Sequence, residues 1–202
     1  MKRLGILLSG RGSNFEAIAA NVRDGRLAAK IAIVISNRAA APGLEISRRM
    51  GIASVAMPSG GLDRDTYDLK LRAVLEEARV DLVCLAGYMR LLSAGFVRAF
   101  ERRILNIHPS LLPAFPGLDA QSQALEHGVK IAGCTVHFVD EYLDAGPIVM
   151  QAAVEVLDGD TVQTLAARIL REEHRIYSLA IEKVLSGTYK IEGRRVLEGV
   201  EG

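Results

Sequence analysis

Asn106 and His108 are polar residues two positions apart at the end of the apolar run Ile104–His108. Residues two apart on a β-strand point to the same side, so the amide and the imidazole should share one face. Such side chains can donate hydrogen bonds to a developing negative charge, and the imidazole can also transfer protons. A lone histidine at a strand end is more often structural. The pair, followed at once by Pro109 and a proline-rich loop, favours a catalytic role.

A second candidate group is the acidic turn that contains Asp140, Glu141 and Asp144 and ends in Gly146-Pro147. A solvated loop is the alternative, above all for Asp140 and Glu141. Calcium binding is less favoured, because these carboxylates do not follow the ligand spacing of a calcium loop.

The segment Leu8–Asn14, with the sequence LSGRGSN, joins a predicted strand to a predicted helix. Glycines let the backbone approach a ligand, and the start of a helix offers unpaired N–H groups, so the expected ligand is an anion such as phosphate. Ser13 and Glu16 have the spacing of a capping box. A dinucleotide fingerprint fits less well, because Phe15 stands where its third glycine belongs. A tight turn without a ligand is the alternative.

Glu173 is an unusual residue on the predicted buried side of a long helix. The apolar residues that define this side are Val162, Ala166, Ile169, Ile176 and Ala180. A buried carboxylate is costly unless it is paired or reaches a ligand. An arginine partner and contact with a ligand are both compatible with the spacing.

The first half of the chain alternates short apolar runs with helical patterns. The predicted strands are Leu4–Leu8, Ile31–Ile35, Ala53–Ala56, Asp81–Leu85 and Ile104–His108. The predicted helices are Asn14–Asp24, Leu44–Met50, a segment through Tyr67–Ala78, and Ser93–Ala99. This alternation predicts an α/β fold with a mostly parallel, twisted sheet and helices on both faces. Asn106 and His108 then lie at the carboxyl end of a strand, where such sheets bind ligands.

The second half should begin with an irregular loop, Pro109–Gly117. The predicted elements after it are the helix Gln121–His127, the strands Ala132–Val139 and Ile148–Val156, the helix Thr161–Leu185, capped by Asp160 or Thr161, and a tail hairpin. With no linker or repeat evident, we expect a single domain over 1–202, with halves of about 1–100 and 101–187 and a tail at 188–202.

Composition excludes several classes of protein. The 202 residues include 25 basic and 24 acidic side chains, so net charge favours neither nucleic acid nor a membrane as partner. Cys84 and Cys134 lie in apolar runs, which disfavours a disulfide, and no metal-ligand spacing is present. Without a signal-peptide pattern or an apolar run long enough to span a bilayer, a cytoplasmic location is expected.

Five segments together resemble the phosphoribosylglycinamide formyltransferase family. They are SGRGSN after the first strand, LAGYMRLLS at 85–93, LNIHPSLLPAFPG at 105–117, GCTVHFVDEYLDAGPI at 133–148 and EEHRIY at 172–177. The resemblance runs from Leu4 to Gly187. NIHPSLLP and DAGPI also resemble segments of methionyl-tRNA formyltransferases and formyltetrahydrofolate deformylases, so the SGRGSN loop is the discriminating segment.

The resemblance implies a Rossmann-like formyltransferase fold. It implies formyl transfer from 10-formyltetrahydrofolate to the amine of 5-phosphoribosylglycinamide, in purine biosynthesis and without a metal. It implies that the catalytic residues are Asn106, His108 and Asp144. Ribonucleotide binding is implied for Gly12, Ser13, Asn14 and Glu173. Folate binding is implied for Arg64, Met89, Arg90, Leu91, Leu92, Asn106 and Asp140.

The same resemblance implies small-molecule substrates, no nucleic acid and no membrane partner, in a monomer or homodimer. The chain departs from the family's bacterial pattern at Asp119, where a histidine is usual, and at Ser122, where an arginine is usual. Two other functions stay open. A 10-formyltetrahydrofolate hydrolase or another formyl-folate transferase could use the same catalytic residues, with water as the acceptor in the hydrolase. A nucleotide-binding or redox Rossmann protein could use the glycine loop, but it leaves Asn106, His108 and Asp144 without a role.

Overall fold

The computed structural model describes residues 1–199, so the last three residues of the predicted tail, 200–202, lie outside the described residues. The chain divides into two compact units, Met1–Asn106 and Ile107–Gly202. The boundary between them falls within one strand, Ile104–His108.

The first unit alternates strands and helices. Its elements are β1 (Lys2–Leu8), α1 (Ser13–Arg23), β2 (Ala29–Ser36), α2 (Pro42–Arg49), β3 (Ser54–Ala56), α3 (Arg64–Glu77), β4 (Leu82–Leu85), α4 (Ala94–Ala99) and the start of β5 (Ile104–His108). The strand order is β3-β2-β1-β4-β5, and these neighbours pair in parallel. Their carboxyl ends therefore lie at one edge, where the loops after β1, β2 and β4 meet.

Apolar side chains hold this unit together. All four residues of β4 are buried, as expected for a strand covered on both faces. Phe15 and Ile18 of α1 and Tyr67 and Leu71 of α3 are at most 1% exposed. Burying each such aliphatic or aromatic side chain contributes about 1.5–3 kcal/mol, which fixes the loops at the sheet edge against a rigid base.

The second unit opens with the irregular segment after His108, as predicted. Its further elements are α5 (Ala120–Glu126), β6 (Ile131–Phe138), β7 (Ile148–Glu155), α6 (Val162–Ser186), β8 (Tyr189–Glu192) and β9 (Arg195–Glu198). The strand order is β6-β7-β9-β8. β6 and β7 are antiparallel, β7 and β9 are parallel, and β8 and β9 form the predicted tail hairpin.

Helix α6 begins with a capping box, in which Thr161 and Thr164 each accept a hydrogen bond from the other's backbone N–H, and ends at Gly187 (φ 71°). Ile169, Glu173, Ile176 and Ala180 are buried as predicted. The prediction for Val162 and Ala166 is wrong, because Val162 is exposed and Ala166 is only half-buried. Val162 is the first residue of the helix, and Leu165, one turn further, is the first to reach the core.

The predicted α/β class with a mostly parallel sheet flanked by helices is confirmed, with element ends shifted by one or two residues in most cases. Both thiols, Cys84 and Cys134, are buried as predicted. Within residues 1–199, no helix combines the length and the apolar character needed to cross a membrane.

Candidate active site

Strand β5 carries Asn106 and His108 at its carboxyl end. Leu105, Ile107 and His108 are buried and Asn106 is half-buried. Because both polar residues lie in one extended strand, their side chains point to the same side. His108 is 5% exposed, so its ring lies in a largely dry environment where hydrogen bonds and charges are strong.

Asp144 lies next to the His108 ring. Its Oδ2 is 3.4 Å from His108 Nδ1 and accepts a hydrogen bond of 2.9 Å from the Gly117 N–H. The Asp144 side chain is 10% exposed. Its backbone has a φ of 48°, a left-handed conformation that aspartate adopts more readily than most residues. The structure thus brings together two of the three predicted catalytic side chains within the second unit.

The His108 ring lies between two hydrogen-bond acceptors. Its Nε2 lies 2.9 Å from the Phe115 carbonyl oxygen, which can only accept, and its Nδ1 faces the Asp144 carboxylate. A neutral imidazole carries one N–H, whereas the imidazolium can donate to both acceptors. One ring nitrogen, Nδ1, thus faces the Asp144 carboxylate, and the other, Nε2, faces the loop residue Phe115.

His137 also lies beside Asp144, and together His108, Asp144 and His137 form a carboxylate–imidazole cluster. The sequence did not reveal this position of His137. Its Nε2 is 3.7 Å from Asp144 Oδ1, and its Nδ1 is 2.9 Å from the Phe138 carbonyl oxygen. Burial lowers the pKa of His137, and the nearby His108 acts in the same direction. His137 therefore stays neutral more readily than an exposed histidine. The available signal was a single imidazole within the apolar run of β6.

The loop after β5 is tied to the strands of its own unit. Thr135 Oγ1 on β6 donates to the Ser110 carbonyl oxygen at 2.7 Å and accepts from the Leu112 N–H at 3.0 Å. Gln151 Nε2 on β7 donates to the Leu112 carbonyl oxygen at 3.0 Å. These bonds anchor the first part of the loop, next to the carboxylate–imidazole cluster.

Gly146 explains how the acidic turn passes so close to β6. A Cβ at this position would lie 1.9 Å from the Phe138 carbonyl oxygen, a distance that no side chain can adopt. Glycine therefore lets the segment that carries Asp144 pack directly on the backbone of β6.

The glycine loop lies in the first unit, between β1 and α1. Gly12 has a φ of 79° and is the N-cap of α1, which begins at Ser13. The predicted Ser13–Glu16 capping box is wrong, because the left-handed Gly12 takes the cap position and its carbonyl oxygen accepts from the Glu16 N–H at 2.9 Å. Ser13 is thus inside the helix, and Asn14 is buried. A helix start next to glycines remains suited to an anion.

Ser9 joins the glycine loop to its neighbours. Its hydroxyl donates to Asn37 Oδ1, after β2, at 2.5 Å and accepts from the Met89 N–H, after β4, at 2.8 Å. A Cβ on Gly43 would lie 2.7 Å from the Leu8 side chain, so α2 starts directly against this loop. The loops after three parallel strands are therefore fixed relative to one another.

Apart from Asn106 on β5, the predicted folate-binding residues of the first unit lie on two segments. Arg64 is the first residue of α3, after the N-cap Asp63. Met89 and Leu91 are 61% and 54% exposed, unusually open for large apolar side chains, whereas Arg90 and Leu92 are half-buried. Exposed apolar side chains grouped in one loop are typical of a binding surface.

In the second unit, Asp140 Oδ1 accepts from the Tyr142 N–H at 2.9 Å, in the same turn as Asp144. Glu173 is buried on α6 close to Cys134, whose pKa is raised to about 12 by burial and then by the charge of Glu173. Among residues 1–199, no group of three or more His, Cys, Asp or Glu side chains is arranged to hold a metal ion.

Comparison with known proteins identifies the family. The formyl transferase family matches residues 2–181. The chain is 42% identical to phosphoribosylglycinamide formyltransferase of Escherichia coli, over 92% of this chain and 88% of that protein. It is also similar to a crystal structure of glycinamide ribonucleotide transformylase 1 from Symbiobacterium toebii, with a TM-score of 0.96, 56% identity, and coverage of 99% and 95% of the two chains.

The match extends to larger proteins. The human trifunctional purine biosynthetic protein adenosine-3 is 48% identical over 94% of this chain, which spans 19% of that protein. A formyltetrahydrofolate deformylase from Pseudomonas syringae shares the fold at 26% identity, with a TM-score of 0.92, and the match covers 66% of its chain. The family predicted from the sequence is thus confirmed: the chain belongs to the formyl transferase family and, within it, to the phosphoribosylglycinamide formyltransferases.

Proposed function

We propose that this chain, acting as one formyltransferase domain, transfers the formyl group of 10-formyltetrahydrofolate to the amine of 5-phosphoribosylglycinamide. The observation that carries the proposal is the buried His108–Asp144 pair, with Oδ2 of the carboxylate 3.4 Å from Nδ1 of the ring. Such a pair supplies both a positive donor for an oxyanion and a carboxylate that can pass on a proton.

In this reaction, the neutral amine of the ribonucleotide attacks the formyl carbon. A C–N bond forms, and negative charge develops on the formyl oxygen. The Asn106 amide and the His108 imidazolium, which point to the same side of β5, both donate hydrogen bonds to that oxygen. Asp144 accepts the proton lost by the amine, directly or through water, and delivers it to the leaving folate nitrogen as the C–N bond to folate breaks.

The contact of His108 Nε2 with Phe115 bears on this step. In the described arrangement this donor is engaged by the Phe115 carbonyl oxygen at 2.9 Å. We propose that substrate binding displaces Phe115 and that the formyl oxygen takes its place. Catalytic hydrogen bonds often reach their working geometry only with substrate bound, and loops next to an active site commonly shift in this way.

The remaining assignments concern the binding of the two substrates. Gly12, Ser13 and Asn14 bind the phosphate at the start of α1, and Glu173 contacts the ribose or the glycinamide. Arg64, Met89, Arg90, Leu91 and Leu92 contact the folate, together with Asn106 and Asp140. No metal takes part, the partners are small molecules only, and the protein works in the cytoplasm as a monomer or homodimer.

The test is a formyl-transfer assay with purified protein and both substrates. We expect the N-formyl ribonucleotide and tetrahydrofolate to form in equal amounts, with no folate consumption when the ribonucleotide is left out. Folate consumption that is independent of the ribonucleotide would instead assign a hydrolase, the activity in the name of the Pseudomonas syringae relative.

A further inference from the structure

Arg90 is held in an unusual way. The Arg90 guanidinium carbon lies 4.3 Å from the centroid of the Tyr67 ring, so the cation rests on the aromatic face. Its Nε is buried and has no hydrogen-bond partner among residues 1–199. A guanidinium donates its hydrogen bonds in its own plane, so stacking on a ring fixes its position while leaving the in-plane donors available.

A second stacked arginine in the same unit provides a contrast. The Arg103 guanidinium carbon lies 4.9 Å from the Phe100 ring centroid, but Arg103 Nη2 also donates to the Ala99 carbonyl oxygen at 2.7 Å. Arg103 therefore uses its donors within the protein and stabilises the end of α4. The buried Nε of Arg90 has no such use, and native proteins leave few buried donors without an acceptor. Arg90 therefore rests on its aromatic ring without an acceptor for Nε among residues 1–199, whereas Arg103 is tied to its own helix.

Asp68, the residue after Tyr67 on α3, holds the segment Met89–Ser93, which carries Arg90. Its side chain is buried at 2% exposure, and its Oδ2 accepts from the Ser93 N–H at 2.5 Å. Ser93 in turn caps α4, because its Oγ accepts from the Phe96 N–H at 3.2 Å. Burial raises the pKa of Asp68, whereas the Ser93 hydrogen bond and the charge of Arg90 favour its carboxylate form. Asp68 thus anchors the end of the Met89–Ser93 segment and balances the charge of Arg90.

We infer that Tyr67 and Asp68 are positioning residues that preset the Arg90 guanidinium for an acceptor group of the folate. Tyr67 fixes the plane of the guanidinium, and its own hydroxyl is fixed by donation to the Met57 carbonyl oxygen at 2.8 Å. Asp68 supplies the compensating charge and holds the backbone on which Arg90 is carried. The inference rests on the proposed contact of Arg90 with folate.

The experiment measures kcat and KM for both substrates in variants of this group. Tyr67→Leu removes the ring face, and we expect the folate KM to rise about 3- to 10-fold while the ribonucleotide KM and kcat change less than about twofold. Tyr67→Phe keeps the ring face and should retain a folate KM close to that of the parent.

Asp68→Asn keeps an acceptor for Ser93 but loses the charge, and we expect the folate KM to rise a few-fold. Arg103→Met is the matched control and should change neither KM.

A double-mutant cycle makes the test specific. If Tyr67 acts through Arg90, Tyr67→Leu should have little further effect on the folate KM once Arg90 is replaced in Arg90→Met. Additive effects, or a rise in both KM values with loss of the folded protein in melting curves, would overturn the positioning role. An unchanged folate KM in Arg90→Met alone would instead contradict the proposed folate contact, so the two failures are distinguishable.

Discussion

Asp144 and Asp160 both lie in acidic turns of the second unit, yet their surroundings differ. Asp160 accepts hydrogen bonds from both Arg168 terminal nitrogens at 2.6 and 2.9 Å, from the Leu157 N–H at 2.8 Å and from Thr164 Oγ1 at 2.8 Å. Asp144 accepts one backbone hydrogen bond, and two imidazoles stand at 3.4 and 3.7 Å from its oxygens. Short hydrogen bonds occupy both carboxylate oxygens of Asp160, whereas the carboxylate of Asp144 faces imidazoles, which can gain or lose a proton.

This difference supports the proposal that Asp160 is a structural carboxylate and Asp144 a catalytic one. The Arg168 hydrogen bonds hold the pKa of Asp160 well below its ordinary value of 3.8, and an arginine does not release its proton in proteins. Asp160 can therefore anchor the start of α6 but cannot exchange protons with its partner. The partners of Asp144 are imidazoles, which, unlike a guanidinium, can carry a proton or release it. The chemistry of the partner, more than the acidity of the turn, therefore leads us to propose that Asp144 takes part in the reaction and Asp160 does not.

The largest effect is expected at the imidazole–carboxylate pair. His108→Ala or Asp144→Asn should lower kcat by about 10²-fold or more, because each removes a donor or proton acceptor of the transition state. Combining the two should cost much less than the product of the single losses, because they act as one unit. Steady-state kinetics with circular dichroism as a folding control checks this. Near-parental turnover in either variant would remove that residue from the mechanism.

A substitution in the glycine loop should have a smaller effect, mainly on ribonucleotide binding. In Gly12→Val the new Cβ would lie 3.1 Å from Leu8 Cδ2 and 3.3 Å from Gly43 Cα, and valine disfavours the φ of 79°. We expect the ribonucleotide KM to rise about 10-fold or more, with a smaller change in the folate KM. Gly25→Val is the matched control, because Gly25 has a φ of 74° and open space around its Cβ. A selective rise in the folate KM would reverse the assignment of the two pockets.

Substitution of Asp119 should have only a small effect on folate binding, because its side chain is exposed. It is exposed, with a φ of 56°, a conformation that histidine also tolerates. Asp119→His should change the folate KM by no more than a few-fold, and less at high salt, because an exposed charge is worth about 0–1 kcal/mol and is screened. Asp119→Asn separates the loss of negative charge from the gain of the imidazole. A large, salt-independent fall in kcat would place Asp119 in the chemistry.

The smallest effect on activity is expected for Asp160→Asn, which should instead lower the melting temperature by a few degrees. Because the folded-state pKa of Asp160 is lowered, its stabilising contribution is present above pH 3.8 and is lost as the pH falls below that value. The difference in stability between parent and variant should therefore be constant near neutral pH and shrink below about pH 4. Melting curves over this range check the sign. A difference that grows on acidification would contradict the assignment.

The sequence was informative where chemistry follows from residue type and local position. Asn106 and His108 could be placed on one side of β5 because alternation along a strand is a local rule. The buried position of Glu173 followed from helical periodicity in the same way. Asp144 was already a candidate in the acidic turn, and the family segments then selected it from its neighbours Asp140 and Glu141.

Other features of the site could not be predicted, because they depend on the backbone conformation of single residues and on the register between paired strands. The capping-box prediction failed because Gly12 adopts a left-handed conformation and takes the cap position from Ser13. His137 was missed because its approach to Asp144 depends on the pairing of β6 and β7, and this register shifts between Val136 and His137. A local irregularity of this kind leaves no mark in the hydrophobic pattern.

The most direct test of the account compares Asp144→Asn and Asp160→Asn in the same formyl-transfer assay, with both substrates saturating. We expect kcat to fall about 10²-fold or more in Asp144→Asn and to stay within about twofold of the parent in Asp160→Asn. Equal kcat values for the two variants would show that the carboxylate beside His108 has no special part in the transfer, and would contradict the central claim.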